Sequence, residues 1–350
     1  MTARRRAAAD GAGHGLLVPA LFALLALAAA PRPVHAAEEC TLDGRRVTPA
    51  QRADAPRSGL MRCMDRDSGR LLRESTYDDG HEVGLARSFH ANGRLRRAAY
   101  YPPMGGESAA AEFTENGQLT ALRCGTRALL APAVDDARLC GFDGRPSAVE
   151  LFDDKGGLRS RVVWREGKRV RREDLYDNGQ IALQDEQAGD RRTERRFSSE
   201  GVLRFEAVSR TGPRATVRLS EREFSERGQL VADQRWNDAG DALSAERFSR
   251  EGQPLSVSHY SGRGLQRVVD TETFHDNGQR ATQGRFRALS RDLQRPLGVH
   301  LRFDLQGRRI ASSTYDAQGR LTRETVWDAT GRIERDEKIG IDGTPQPLPN

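Results

Sequence analysis

The sequence predicts an all-β protein: an elongated antiparallel meander of repeated β-hairpins with a small disulfide-bearing N-terminal head. Three observations predict it. A short phrase, aromatic-x-x-x-Gly, recurs along most of the chain; Asn-Gly pairs sit within it; and the runs between copies alternate apolar with charged residues and show no long helical period.

The phrase is clearest in "STYDAQGRLTRETVWDATGR" (Ser313–Arg332), where Tyr315/Gly319 and Trp327/Gly331 stand 12 residues apart. The same pairing recurs at Phe89/Gly93, Phe113/Gly117, Phe224/Gly228, Trp236/Gly240, Phe248/Gly252, Phe274/Gly278 and Phe303/Gly307, and one residue shorter at Tyr176/Gly179. A longer period overlies it. The triplet Phe224, Trp236, Phe248 returns as Phe303, Tyr315, Trp327 after 79 residues, and "RFEAVSR" (Arg204–Arg210) returns as "RFRALSR" (Arg285–Arg291).

Each copy reads as strand, turn, strand. Gly and Asn tolerate positive φ, which tight hairpin turns demand. Runs such as "RLTRETVW" have the period of a strand with one buried face. The aromatic and the following aliphatic residue flank the turn as cross-strand neighbours. A lone hairpin is marginal in water, and stacking hairpin on hairpin supplies the missing burial.

The N-terminus reads differently. Arg4–Arg6 precede a 15-residue apolar run, Leu16–Ala30, and Val34-His35-Ala36 offers the small residues of a cleavage site. That is the pattern of a secretory signal peptide, with cleavage expected after Ala36 and periplasmic or secreted localisation. The run is shorter than the ~20 residues of a membrane span, and no transmembrane segment is expected after cleavage. The expected organisation is 1–36 signal peptide, 37–72 cysteine-containing segment, 73–338 hairpin repeats with an insertion bearing Cys124 and Cys140, and 339–350 flexible tail.

Four cysteines, Cys40, Cys63, Cys124 and Cys140, suit an exported chain stapled by disulfides. They allow three connectivities. Local pairing, Cys40–Cys63 with Cys124–Cys140, is the expectation and the others stay open. The formal charge of +6 includes the arginine-rich leader, and the excess is small beside 50 acidic residues. It makes no case for nucleic acid.

The candidate chemical groups fall at turn positions of the repeat. His90 and His275 occupy one slot, directly after the aromatic. His81 lies beside Asp78, Asp79 and Glu82, a set of oxygen ligands that equally spells a turn. "WNDAGD" (Trp236–Asp241) has the same character. Ser198, Ser225 and Ser249 recur at one repeat position, as turn residues do. Neither G-x-S-x-G nor a glycine-rich phosphate loop is present. The sequence therefore predicts no catalytic, cofactor or metal site. Alternating Arg and Glu, as in "LSEREFSERGQL" (Leu219–Leu230), predict a solvated face laced with cross-strand ion pairs.

"YDDGHEVGLARSFHANGRLRRAAYY" (Tyr77–Tyr101), with "FTENGQL" (Phe113–Leu119), "YDNGQI" (Tyr176–Ile181) and "FHDNGQ" (Phe274–Gln279), resembles the MORN-type repeat, and most of all the variant in YwqK-type antitoxin proteins. Later units such as "YDAQGRLTRET" are also similar to the YD repeats of bacterial Rhs-type shells. Most units lack the second glycine of "GHEVG" (Gly80, Gly84), and no toxin domain follows. The resemblance implies a β-hairpin meander that acts as a binding or scaffold module, with a secreted toxin as partner. The expectation is an exported, non-catalytic protein that binds a protein partner. A self-assembling envelope protein and a glycan-binding module are the alternatives.

Overall fold

The computed structural model describes residues 38–48, 58–264, 267–290 and 293–348. The expected leader lies outside them. The chain is built almost wholly of antiparallel strands in two sheets. The first is an 8-stranded sheet in the order β2-β1-β3-β4-β5-β6-β7-β8. Its strands are β1 (Glu38–Leu42), β2 (Arg45–Val47), β3 (Gly59–Asp65), β4 (Leu71–Asp78), β5 (His81–Phe89), β6 (Leu95–Tyr101), β7 (Ala109–Phe113) and β8 (Leu119–Arg123). The cysteine-bearing head thus pairs directly into the first repeat hairpins.

The second sheet runs in strict chain order through β9 (Ser147–Phe152), β10 (Leu158–Arg165), β11 (Lys168–Leu175), β12 (Ile181–Ala188), β13 (Arg191–Phe197), β14 (Leu203–Thr211), β15 (Thr216–Phe224) and β16 (Leu230–Trp236). It continues through β17 (Ala242–Phe248), β18 (Pro254–Ser261), β19 (Val268–Phe274), β20 (Arg280–Ala288), β21 (Gln294–Phe303), β22 (Arg309–Tyr315), β23 (Leu321–Trp327), β24 (Ile333–Ile339) and β25 (Pro345–Pro347). The order returns from β25 to β9 as a closed barrel. Residue-by-residue pairing runs from β9–β10 to β24–β25, so the β25–β9 seam is its thinnest join.

Both disulfides are the local ones. Cys40–Cys63 joins directly opposed residues of β1 and β3. Cys124–Cys140, with Cα atoms 5.7 Å apart, closes the insertion between the sheets, which carries a single helical turn, α1 (Asp136–Leu139). The main core forms at this junction. Ala98, Ala109, Ala111 and Leu119 from the first sheet, Leu130 and Val134 from the insertion, and Val149 from β9 bury one another. The insertion also grips the β10–β11 turn: Gly167 N–H donates to Cys140 O at 2.9 Å, and Glu166 N–H to Gly141 O at 3.2 Å. Away from the junction the second sheet has few fully buried apolar side chains, among them Val162, Ala207, Val269 and Ala311.

Strands alternate in direction, so the turns of the second sheet fall on two edges. One edge is uniform. The eight turns beginning at Asp153, Tyr176, Ser198, Ser225, Ser249, His275, Asp304 and Asp328 share one geometry. The first residue's N–H donates to the fifth residue's carbonyl, and the fourth residue, always glycine, donates back to the first; in the turn Ser249–Gln253 these bonds are 2.7 and 3.0 Å. Every such turn needs its glycine at positive φ, as at Gly252 (φ 85°). The ladder shifts register at the aromatic before the turn, as at Phe248, which faces Pro254. This is a type I turn with a G1 bulge. The other edge mixes the two-residue turns Glu166-Gly167 and Gly189-Asp190 with longer loops and with copies of the uniform turn at Asn237–Asp241, Asp316–Arg320 and Gly340–Thr344. Gly93, Gly117, Gly179, Gly228, Gly278, Gly307 and Gly331 fill the uniform-turn slot, as do Gly240 and Gly319 on the mixed edge.

A Cβ added at Gly252 would meet nothing within 4 Å. Gly252→Ala therefore tests backbone strain alone. The expected loss is about 1 kcal/mol, the lower end of the left-handed penalty, measurable by urea denaturation.

The tail corrects an expectation. Instead of fraying, residues 345–347 form β25 against β24, and Leu348 N–H donates to Asp336 O at 2.8 Å. A five-residue turn, Gly340–Thr344, folds it back.

Candidate binding surface

The residues singled out in the sequence prove to be turn machinery. His90 Nε2 lies 2.8 Å from Phe113 O, and His275 Nε2 lies 3.0 Å from Phe303 O. Each ring bridges to the strand-end carbonyl before the next turn on its edge. Asn92, Asn178 and Asn277 do the same one turn over: their Nδ2 groups donate to Glu115, Ser199 and Leu305 carbonyls at 2.9, 2.8 and 2.7 Å. Successive turns are thereby laced together along the edge. Ser198, Ser225 and Ser249 hydroxyls accept from the third and fifth N–H groups of their own turns at 3.1–3.3 Å. Asp153 and Asp316 accept from the same two positions. Backbone N–H donors hold both carboxyls below their ordinary pKa, Gly157 first for Asp153 and Arg320 first for Asp316.

The acidic set at His81 is also a turn. Asp79 and Gly80, at φ 46° and 80°, form its two corners. Asp78 accepts from Ser58 Oγ at 3.2 Å and Glu82 from Tyr77 OH at 3.3 Å. In "WNDAGD", Asn237 Oδ1 accepts from Ala239 and Asp241 N–H at 2.9 Å. Among the described residues, Glu38, Cys40 and Cys63 are the one set of metal-ligand types that converges, and both cysteines are spent in the disulfide.

The predicted cross-strand lacing takes the form of a row of charge across one face of the second sheet. Arg195, Glu206, Arg222 and Asp233 stand directly opposite one another on β13 to β16. Arg195 Nε to Glu206 is 2.8 Å, and Arg222 reaches both Glu206 and Asp233 at 3.5 Å. Arg235 completes the chain on Asp233 at 2.9 Å. Asp233 is only 4 % exposed beneath these arginines. On the opposite face Arg192 grips the buried Asp185 with two bonds of 2.6 and 2.9 Å. The predicted solvated face is thus corrected: the arginines reach solvent, but several acids beneath them are buried. Each opposed pair contributes about 0.2–1 kcal/mol, and the exposed guanidinium ends keep it at the lower part of that range.

The first sheet repeats the device. Glu74 stands between Arg62 and Arg87 on β3, β4 and β5. Hydrogen bonds from Arg87, then Arg62, hold its carboxyl below the ordinary glutamate value. A depressed folded pKa adds stability that is complete above the unfolded pKa and is lost as pH falls through the folded one. Wild type should therefore lose stability as pH drops from about 5 toward 3, and Glu74→Gln should flatten part of that slope in urea titrations at stepped pH.

Farther along the same face of the second sheet a groove of about 410 Å³ opens between β18 and β21, lined by His259, Asp270, Glu272, Arg285, Leu297 and Val299. A wide bulge creates it. Gln283 and Arg285 pair with Leu301 and Leu297, so three residues of β21 oppose the single Gly284. The His300 ring fills the space left by the missing side chain: a Cβ on Gly284 would lie 2.6 Å from Nδ1. His300 is fixed edge-on between Phe286 and Tyr315, at 4.7 and 4.8 Å, with Nε2 2.8 Å from Arg285 O. Its neighbour Val299 is turned outward and left 55 % exposed.

No family model matches the sequence, and no curated protein matches it. Among solved structures it is similar to a mutant of S. aureus TarM in complex with fondaparinux, alpha-GlcNAc-glycerol and UDP (12 % identity, 33 % of this chain and 21 % of that one, TM-score 0.22). It is also similar to TcdB2-TccC3 without its hypervariable C-terminal region (10 %, 86 % and 19 %, TM-score 0.19). A third is the Photorhabdus luminescens Tc holotoxin pore (11 %, 82 % and 19 %, TM-score 0.16). The chain spans about a fifth of the length of each. Likeness at this level carries no argument about function.

Proposed function

We propose that this is an exported, non-catalytic hairpin-repeat protein that binds a protein partner in the periplasm or cell envelope, with a toxin-neutralising role of the YwqK kind. The observation that carries this reading is the face bearing the Arg195–Asp233 row and the β18–β21 groove. It joins fixed charges to the outward-turned aliphatic side chain of Val299 in the groove, as an anchor with a polar rim does. The two disulfides suit an oxidising compartment, and no helix among the described residues is long and apolar enough to cross a membrane. Affinity capture tests the reading. Residues 37–350 with disulfides intact should retain one stoichiometric envelope or secreted protein, and Val299→Glu should release it. Retention that is unchanged by Val299→Glu, or no retained protein, would overturn it.

A further inference from the structure

Four Asn-Gly pairs fill the third and fourth positions of turns of the uniform geometry: Asn92-Gly93 and Asn116-Gly117 in the first sheet, Asn178-Gly179 and Asn277-Gly278 in the second. Three of these asparagines are held at both ends of the side chain. Their Nδ2 groups donate to the next turn. Their Oδ1 atoms accept the fifth residue's N–H at 3.0 Å, from Arg94, Gln180 and Gln279. Asn116 is held at neither end. It is exposed, and among the described residues its side chain makes no hydrogen bond.

The first residue of the turn decides this. In the three held turns it is His90, Tyr176 or His275, none with a short side-chain acceptor, and the asparagine takes the fifth N–H. In the fourth it is Thr114, whose Oγ1 accepts Gln118 N–H at 3.1 Å and leaves Asn116 Oδ1 without its donor. The next-turn carbonyl is missing too, since β8 is the last strand of its sheet and no hairpin of that sheet follows. The backbone does not distinguish the four. Each glycine N–H donates to the first residue's carbonyl at 2.8–2.9 Å.

We propose that Asn116 is a site of spontaneous covalent modification, converted to aspartate and isoaspartate with water as the only co-reactant. The Gly117 nitrogen bonds to Asn116 Cγ. The Cγ–Nδ2 bond breaks, and the amide leaves as ammonia with the proton of the Gly117 N–H. Water then opens the succinimide ring. Breaking the new Cγ–N bond gives aspartate, and breaking the bond from the Asn116 backbone carbonyl to that nitrogen gives isoaspartate. Nothing is oxidised or reduced. Asparagine is among the chemically labile residues, and glycine, with no Cβ, leaves its nitrogen open to attack. At Asn92, Asn178 and Asn277 the side chain must first break two hydrogen bonds to reach that nitrogen, which slows ring closure by roughly tenfold. The site is independent of the partner reading, since it needs only water.

Peptide mapping of the full chain, aged in warm, mildly alkaline buffer, tests it. Cleavage after Arg97 and Arg123 leaves Asn116 the only asparagine of its peptide. Aspartate and isoaspartate should appear at position 116 about tenfold sooner than at positions 92, 178 and 277. Thr114→Val removes the competing hydroxyl and frees the Gln118 N–H for Asn116 Oδ1. It should slow conversion at 116 about fivefold, the worth of one hydrogen bond, while the other three sites keep their rates. The wild-type comparison stands whether or not that variant folds. Equal rates at the four sites, aspartate at 116 without isoaspartate, or an unconverted Asn116 after the excised peptide has fully converted would overturn the proposal. So would a folded Thr114→Val protein that converts at the wild-type rate.

Discussion

Replacing Cys124 and Cys140 together by alanine is expected to cost about 3 kcal/mol, the loop-closure value for a bridge of this span. The two cysteines are 16 residues apart in sequence. The loss should also change the shape of unfolding. The bridge closes the insertion whose Leu130 and Val134 join the first sheet's alanines to Val149 of the second. Without it the sheets should melt as two events where wild type shows one, readable by calorimetry under non-reducing conditions. The Cys40–Cys63 bridge lies within the first sheet alone, and its removal should leave a single transition. A loss below about 1 kcal/mol at the junction bridge would show that the core holds the insertion unaided.

Gly167→Ala should be comparably damaging, for a different reason. Its φ of 73° already disfavours any side chain. The added Cβ would also lie 2.4 Å from the carbonyl oxygen of Gly125 and 2.8 Å from the Phe142 ring. The first contact is with backbone and has little room to give. Left-handed strain and overpacking sum to about 3 kcal/mol, roughly three times the cost expected at Gly252, where the space is open. Equal effects of the two substitutions in urea denaturation would mean that the insertion does not press on the β10–β11 turn as the geometry requires.

The contrast between these two glycines shows what the sequence made legible. Aromatic-x-x-x-Gly marks both the turn and the bulge at its mouth, because only glycine takes the fourth position cheaply. Alternation marked the strands, and the spacing of cysteines favoured the local pairs. The 12-residue step, however, merges two edges that differ in structure. Gly167 and Gly252 are both turn glycines at positive φ, and nothing local in the sequence distinguishes one facing an insertion from one facing solvent. The buried acids were hidden for the same reason. Asp233 and Asp238 are five residues apart and chemically identical, yet one lies under two arginines and the other in a turn. That difference is set by cross-strand register, which depends on the bulges of partner strands. The His300 bulge was similarly illegible, since it requires knowing that β21 carries extra residues against Gly284.

The short last strand has a consequence for how far such a ladder can extend. Leu348 turns its N–H toward β24, so by alternation Gln346 faces the same way and positions 345 and 347 face outward. Both are prolines, which have no N–H to offer. A hairpin array is otherwise an open template on which one more strand, from any chain, finds donors waiting. Here the outward rim of β25 presents carbonyls only. Because the sheet closes as a barrel, that rim faces β9, and any backbone hydrogen bond across the seam has to be donated by β9: the ring is shut at a join with half the usual donors, which is why it is the thinnest.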